Sequence, residues 1–78
     1  MQIMGMRQMG KKQSGTITSI LADGELGRRI RDMGLVPGTK IQIMGRAPLY
    51  DPVAVRAMGF TLTLRNKEAD YIVVEMED

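Results

Sequence analysis

The chain has no cysteine, no histidine and no tryptophan, and its rings stop at one phenylalanine and two tyrosines. Without cysteine no disulfide can staple a small fold and no thiolate can hold a metal. Without histidine the commonest transition-metal ligand and the commonest general base are both missing, and no serine or lysine stands beside an obvious base. Catalysis through the usual acid, base and nucleophile groupings is therefore not expected. Three rings also fall short of a stacking platform for single strands, or of the aromatic groove that takes proline-rich peptides. Nowhere does an apolar run reach the ~18 residues of a membrane span. The opening "MQIMGMRQMGKKQ" is broken by Arg7, Lys11 and Lys12 and lacks the apolar stretch of a secretion signal, so a cytoplasmic location is expected.

What is present fits one small soluble domain spanning residues 1–78. Apolar residues make up 44% and charged residues 26% of the 78 positions, an ordinary globular balance. A chain this short buries only ~60% of its unfolded surface and forms a single core. The net charge of +2 does not by itself imply a nucleic-acid partner.

Glycine and proline supply the punctuation. "SGTITSI" (14–20) reads as a strand. From Asp23, a candidate N-cap, Leu26, Ile30 and Met33 recur at helical spacing on one face. With Met33 as C-cap, Gly34 falls where a left-handed residue ends a helix, and Leu35 is placed to pack back on Ile30 in a Schellman ending. Val36-Pro37-Gly38-Thr39 then places proline and glycine at the two central positions of a type II turn. Gly34, Leu35 and Gly38 are accordingly structural residues, turning a helix into a strand.

Further strands follow: "TKIQIM" with Ile41 and Ile43 on one face; "PVAVRAM" with Val53, Val55 and Ala57; and "FTLTLR" with Phe60, Leu62 and Leu64 inward. "NKEAD" reads as one helical turn before "YIVVEM", which puts Ile72, Val74 and Met76 inward. About five short strands, apolar on one side, hide that side by curling into a small, partly open β-barrel, with one short helix between the first and second main strands.

Taken in order, Arg29, Met33-Gly34-Leu35, Pro37-Gly38, Ala47-Pro48-Leu49, Asp51-Pro52, Leu64-Arg65 and Glu68-Ala69 resemble the ferrous iron transport protein A (FeoA) family. The likeness runs from about Met6 to Met76. Lys12 stands where glycine is common in that family, and Tyr50 where its Leu-Gly-Asp-Pro segment often has glycine. The resemblance implies an SH3-like barrel, a type of domain also found at the C-terminus of iron-dependent repressors. It further implies an accessory role in ferrous iron uptake at the cytoplasmic face of the membrane, through contact with the cytoplasmic part of a FeoB-type transporter. A free-standing accessory protein is the expectation, since 78 residues leave no room for a DNA-binding domain.

The candidate contact surface is the loop "RAPLYDPV". Six residues separate strands ending near Arg46 and beginning near Val53, more than a hairpin needs. Arg46, Pro48, Leu49, Tyr50, Asp51 and Pro52 are the partner-binding candidates there, with Tyr50 as an exposed anchor; Val36 and Pro37 are candidates beside the hinge. The plain structural alternative is that Pro48 and Pro52 stiffen a connection and Leu49 caps the barrel. Arg28, Arg29 and Arg31 read as the solvated side of the helix, while a narrower reading has Arg29 or Arg46 entering the transporter's nucleotide site. No catalytic residue, resident cofactor or metal ligand is expected. Scattered carboxylates such as Asp51 and the C-terminal "EMED" allow only weak ferrous or other divalent binding, and the eight methionines read as core filler. The competing functions are a small basic nucleic-acid-binding barrel and a metal-sensing regulatory domain.

Overall fold

A computed structural model describes residues 2–49 and 51–77. Its elements in chain order are β1 (Ile3–Gly5), a 3-10 turn (Met6–Gln8), β2 (Ser14–Ile20), α1 (Gly24–Asp32), β3 (Lys40–Arg46), β4 (Val53–Ala57), β5 (Phe60–Leu64), α2 (Asn66–Ala69) and β6 (Ile72–Met76). All six strands join one antiparallel sheet in the order β1-β6-β2-β3-β4-β5.

Alternation decides which side is buried. Ile41 and Ile43, Val53, Val55 and Ala57, and Ile72 and Val74 all point inward, where they meet Ile17, Leu64, Ile30 and Leu35. Met6 and Met9, both buried, close the core from the 3-10 turn. The register of β2 slips between Ile17 and Ser19, and that of β3 between Ile43 and Gly45. Each slip leaves one outward residue, Thr18 or Met44, and such bulges sharpen the local twist that lets a short sheet curl. The result is the partly open, mainly β barrel that the pattern predicts.

Three expectations need correction. The Met-rich start supplies a sixth strand, β1, paired with β6 through Ile3 and Glu75; three residues without alternation carry no readable strand signal. Phe60, assigned to the core, is 68% exposed. It follows the β4–β5 hairpin turn on an edge strand, and burial rises along β5 only towards Leu64. Asp23 does sit at the N-cap of α1, but its side chain makes no capping bond.

Candidate functional site

The end of α1 forms as its sequence dictates. Gly34 has φ of 92°, its N–H donates to Arg31 O at 2.8 Å, and Leu35 N–H reaches back to Ile30 O at 3.3 Å. Those are the two bonds of a Schellman ending, with Leu35 and Ile30 both fully buried. Gly38 has φ of 97° and Thr39 N–H bonds Val36 O at 3.0 Å, which closes the type II turn. The turn leaves Val36 39% exposed and Pro37 on the surface.

At the other end of β3 the connecting loop is held at both of its feet. Ala47 N–H donates to Pro52 O at 3.0 Å across its base, and the Asp51–Pro52 peptide is cis. Asp51 Oδ1 accepts the N–H of Asn66 at 2.9 Å, which ties the loop to the start of α2. Pro48 is exposed, Leu49 is 88% exposed and Pro52 is half-buried. Tyr50, the predicted anchor, lies outside the described residues.

Arg46 has an inward task that its sequence context does not reveal. One guanidinium nitrogen donates to the carbonyls of Arg7 at 2.6 Å, Met9 at 3.1 Å and Met6 at 3.5 Å, and the other to Asn66 Oδ1 at 3.2 Å. It thereby clamps the 3-10 turn and α2 to the end of β3. Arg28 and Arg31 are exposed, as the helix pattern requires, but Arg29 is engaged: its Nη2 lies 3.1 Å from Oε2 of Glu68, a carboxylate only 5% exposed. The other Glu68 oxygen accepts the Arg65 N–H at 2.9 Å. The spacing of Arg65 and Glu68, the reciprocal half of a capping box, was the available signal for that second bond only, not for the pairing with Arg29.

The predicted contact residues therefore fall at two ends of one strand. Val36 and Pro37 precede β3, and the 47–52 loop follows it. With seven residues in β3 the two lie roughly 20 Å apart, at about 3.3 Å per strand residue. At the Val36 end, Met58 and Phe60 of the β4–β5 hairpin join the surface, 55% and 68% exposed, and the Met58 thioether lies over Gly34. Sequence reasoning missed both. Met58 has φ of 54°, an uncommon conformation for a side chain of that size.

The acidic residues considered for weak metal binding are not gathered. Among the described residues no group of three or more potential ligands could hold a metal ion.

The FeoA domain family model matches residues 4–76. The chain belongs to the FeoA family. An NMR structure of a FeoA-like protein from Clostridium acetobutylicum is 38% identical, with a TM-score of 0.90 over 97% of this chain and 88% of that one. The zinc complex of Stenotrophomonas maltophilia FeoA, a prokaryotic SH3 domain protein, is 25% identical, with a TM-score of 0.80 over 92% of this chain and 89% of that one. The SH3-like barrel expected from the resemblance is thus the fold of the family. A Porphyromonas gingivalis protein, a fusion of Fe(2+) transport protein A with the Fe(2+) transporter FeoB, is 33% identical over 73 residues. Those residues are 94% of this chain, which spans 9% of that relative's length. The family is thereby linked to ferrous iron transport.

Proposed function

We propose that this FeoA-family domain is a non-catalytic accessory module of ferrous iron uptake that docks on the cytoplasmic part of a FeoB-type transporter. The observation that carries this reading is the Porphyromonas gingivalis relative, in which a domain 33% identical to this chain is fused to FeoB. Two domains joined in one polypeptide in one species commonly meet as separate chains in another, because fusion raises their effective concentration without changing the contact. The module works at the inner face of the membrane through its partner; among the described residues no helix is long and apolar enough to cross a bilayer itself. It needs no resident cofactor, and iron is the transporter's cargo.

The 47–52 loop is the primary contact. Pro48, Leu49, Tyr50, Asp51 and Pro52 form it, the Asp51 bond to Asn66 ties it to α2, and Arg46 anchors the end of β3 from which it leaves. An apolar side chain as exposed as Leu49, on a loop fixed at both ends, loses little freedom on binding. Val36 and Pro37, flanked by Met58 and Phe60, form the second contact at the opposite end of β3.

A titration against the isolated cytoplasmic domain of a FeoB-type transporter tests the assignment. Leu49→Asp should weaken association by about tenfold or more while leaving the melting temperature within about 2 °C, because an exposed side chain adds little to the barrel. Unchanged binding in Leu49→Asp with loss in Val36→Asp would move the contact to the hinge. Absence of any association for the unaltered chain, together with tight salt-sensitive capture of RNA or DNA, would replace the reading with the nucleic-acid alternative.

A further inference from the structure

A cleft of about 430 Å³ opens beside α2, lined by Arg29, Asp51, Arg65 and Lys67. Three of these four side chains are cations. The carboxylate of Asp51 is turned to the Asn66 N–H. Arg65 and Lys67 have no ion-pair partner among the described residues, where the only pairs are Arg7 with Asp70 and Arg29 with Glu68.

Arg29 differs from Arg7, the other ion-paired arginine, in that its carboxylate partner is buried rather than exposed. Its side chain is 62% exposed, yet one end of the guanidinium is fixed by the buried carboxylate of Glu68. Withdrawing a carboxylate from water to pair it with an exposed cation is a poor route to stability, since desolvation offsets most of the attraction. What the arrangement secures is direction. Glu68 is itself fixed by the Arg65 N–H, so one short element sets Arg29, Arg65 and Lys67 around a common space.

We propose that this cleft binds a phosphoryl group, free or esterified to a small molecule. One guanidinium fork satisfies a planar carboxylate, whereas a tetrahedral phosphoryl group presents oxygens in several directions and uses cations converging from more than one element. Here one comes from α1, one from the residue that opens α2 and one from α2 itself. The space lies within the ~300–1,000 Å³ of small-molecule sites, larger than a lone ion fills. The cleft shares Asp51 with the loop proposed to meet the transporter, but its three cations lie outside that loop.

The test is an amide NMR titration of the whole chain with inorganic phosphate and with glycerol phosphate, against sodium chloride at matched ionic strength. Saturable shifts centred on Arg29, Arg65, Asn66 and Lys67, absent with chloride, are expected. Arg65→Gln combined with Lys67→Gln should weaken binding by about tenfold or more, since charge-assisted bonds are the strong ones. Arg28→Gln with Arg31→Gln, on the same helix as Arg29, should leave it unchanged. Tighter binding of the ester assigns the site to a phosphorylated small molecule, and binding of inorganic phosphate alone assigns it to the free ion; either outcome upholds the phosphoryl site. Shifts reproduced by chloride, or full affinity in a folded Arg65→Gln, Lys67→Gln variant, would overturn it.

Discussion

Replacing Arg46 by methionine keeps most of the side chain's apolar stem and removes only the guanidinium, so it isolates the clamp at the end of β3. Three of the four bonds lost have ordinary lengths, to Arg7 O, Met9 O and Asn66 Oδ1; the one to Met6 O is long at 3.5 Å and counts for little. A charge-assisted bond in a protected setting is worth about 1.5–3 kcal/mol, but Arg46 is only half-buried and the Arg7 carbonyl can turn to water, so ~0.5–1 kcal/mol for each is the fitting scale. The sum is a loss of about 2 kcal/mol. In a domain of this size that lowers the melting temperature by roughly 8–16 °C. Thermal melts and urea titrations would read it, and Arg46→Lys should recover no more than about half, because a single ammonium cannot fork across several carbonyls. A loss below ~0.5 kcal/mol would refute the clamp. If Arg46→Met instead melted normally but lost transporter binding, Arg46 would be a contact residue, as its place in the loop sequence first implies.

Gly34→Val should destabilise the domain by ~1 kcal/mol or more in the same melts, because φ of 92° strains a β-branched residue; the Met58 methyl that its Cβ would meet can swing aside, so the backbone carries the cost. Lys12 has φ of 72°, a conformation that favours glycine, so Lys12→Gly should stabilise by about 0.5–1 kcal/mol in a urea titration. Iron(II) should bind the isolated protein no tighter than ~10 μM by anaerobic calorimetry, since dispersed carboxylates make a poor transition-metal cage; a stoichiometric nanomolar site would make metal sensing the leading function.

Local chemistry was legible and long-range chemistry was not. The helix stop at Gly34 and the turn at Pro37-Gly38 depend on φ preferences of single residues, so the sequence states them directly, and the structure has both. The inward faces of β3, β4 and β6 follow from period-two alternation. Strand β1 is too short to alternate, and it exists because β6 offers it partners from the far end of the chain. Phe60 alternates correctly with Leu62 and Leu64, but the pattern cannot say that the core ends before reaching it. Arg46 and Glu68 act on residues 39 positions away, at Arg7 and Arg29, and no spacing rule spans such a separation. The contact candidates fall within one stretch of sequence, 36–52, while β3 holds them at opposite ends.

The sheet order carries a consequence for how the protein comes into being. Strand β6, the last to be synthesised, lies between β1 and β2, the first two. Until residues 72–76 have left the ribosome, β1 has no partner and β2 lacks one of its two neighbours, so the barrel cannot close while translation continues through it. Pairing the two ends of the chain is slow compared with local helix formation. Closure therefore waits until β6 is clear of the exit tunnel, by release at termination or by further chain, and any sequence that follows the domain gives the barrel time to close while translation continues.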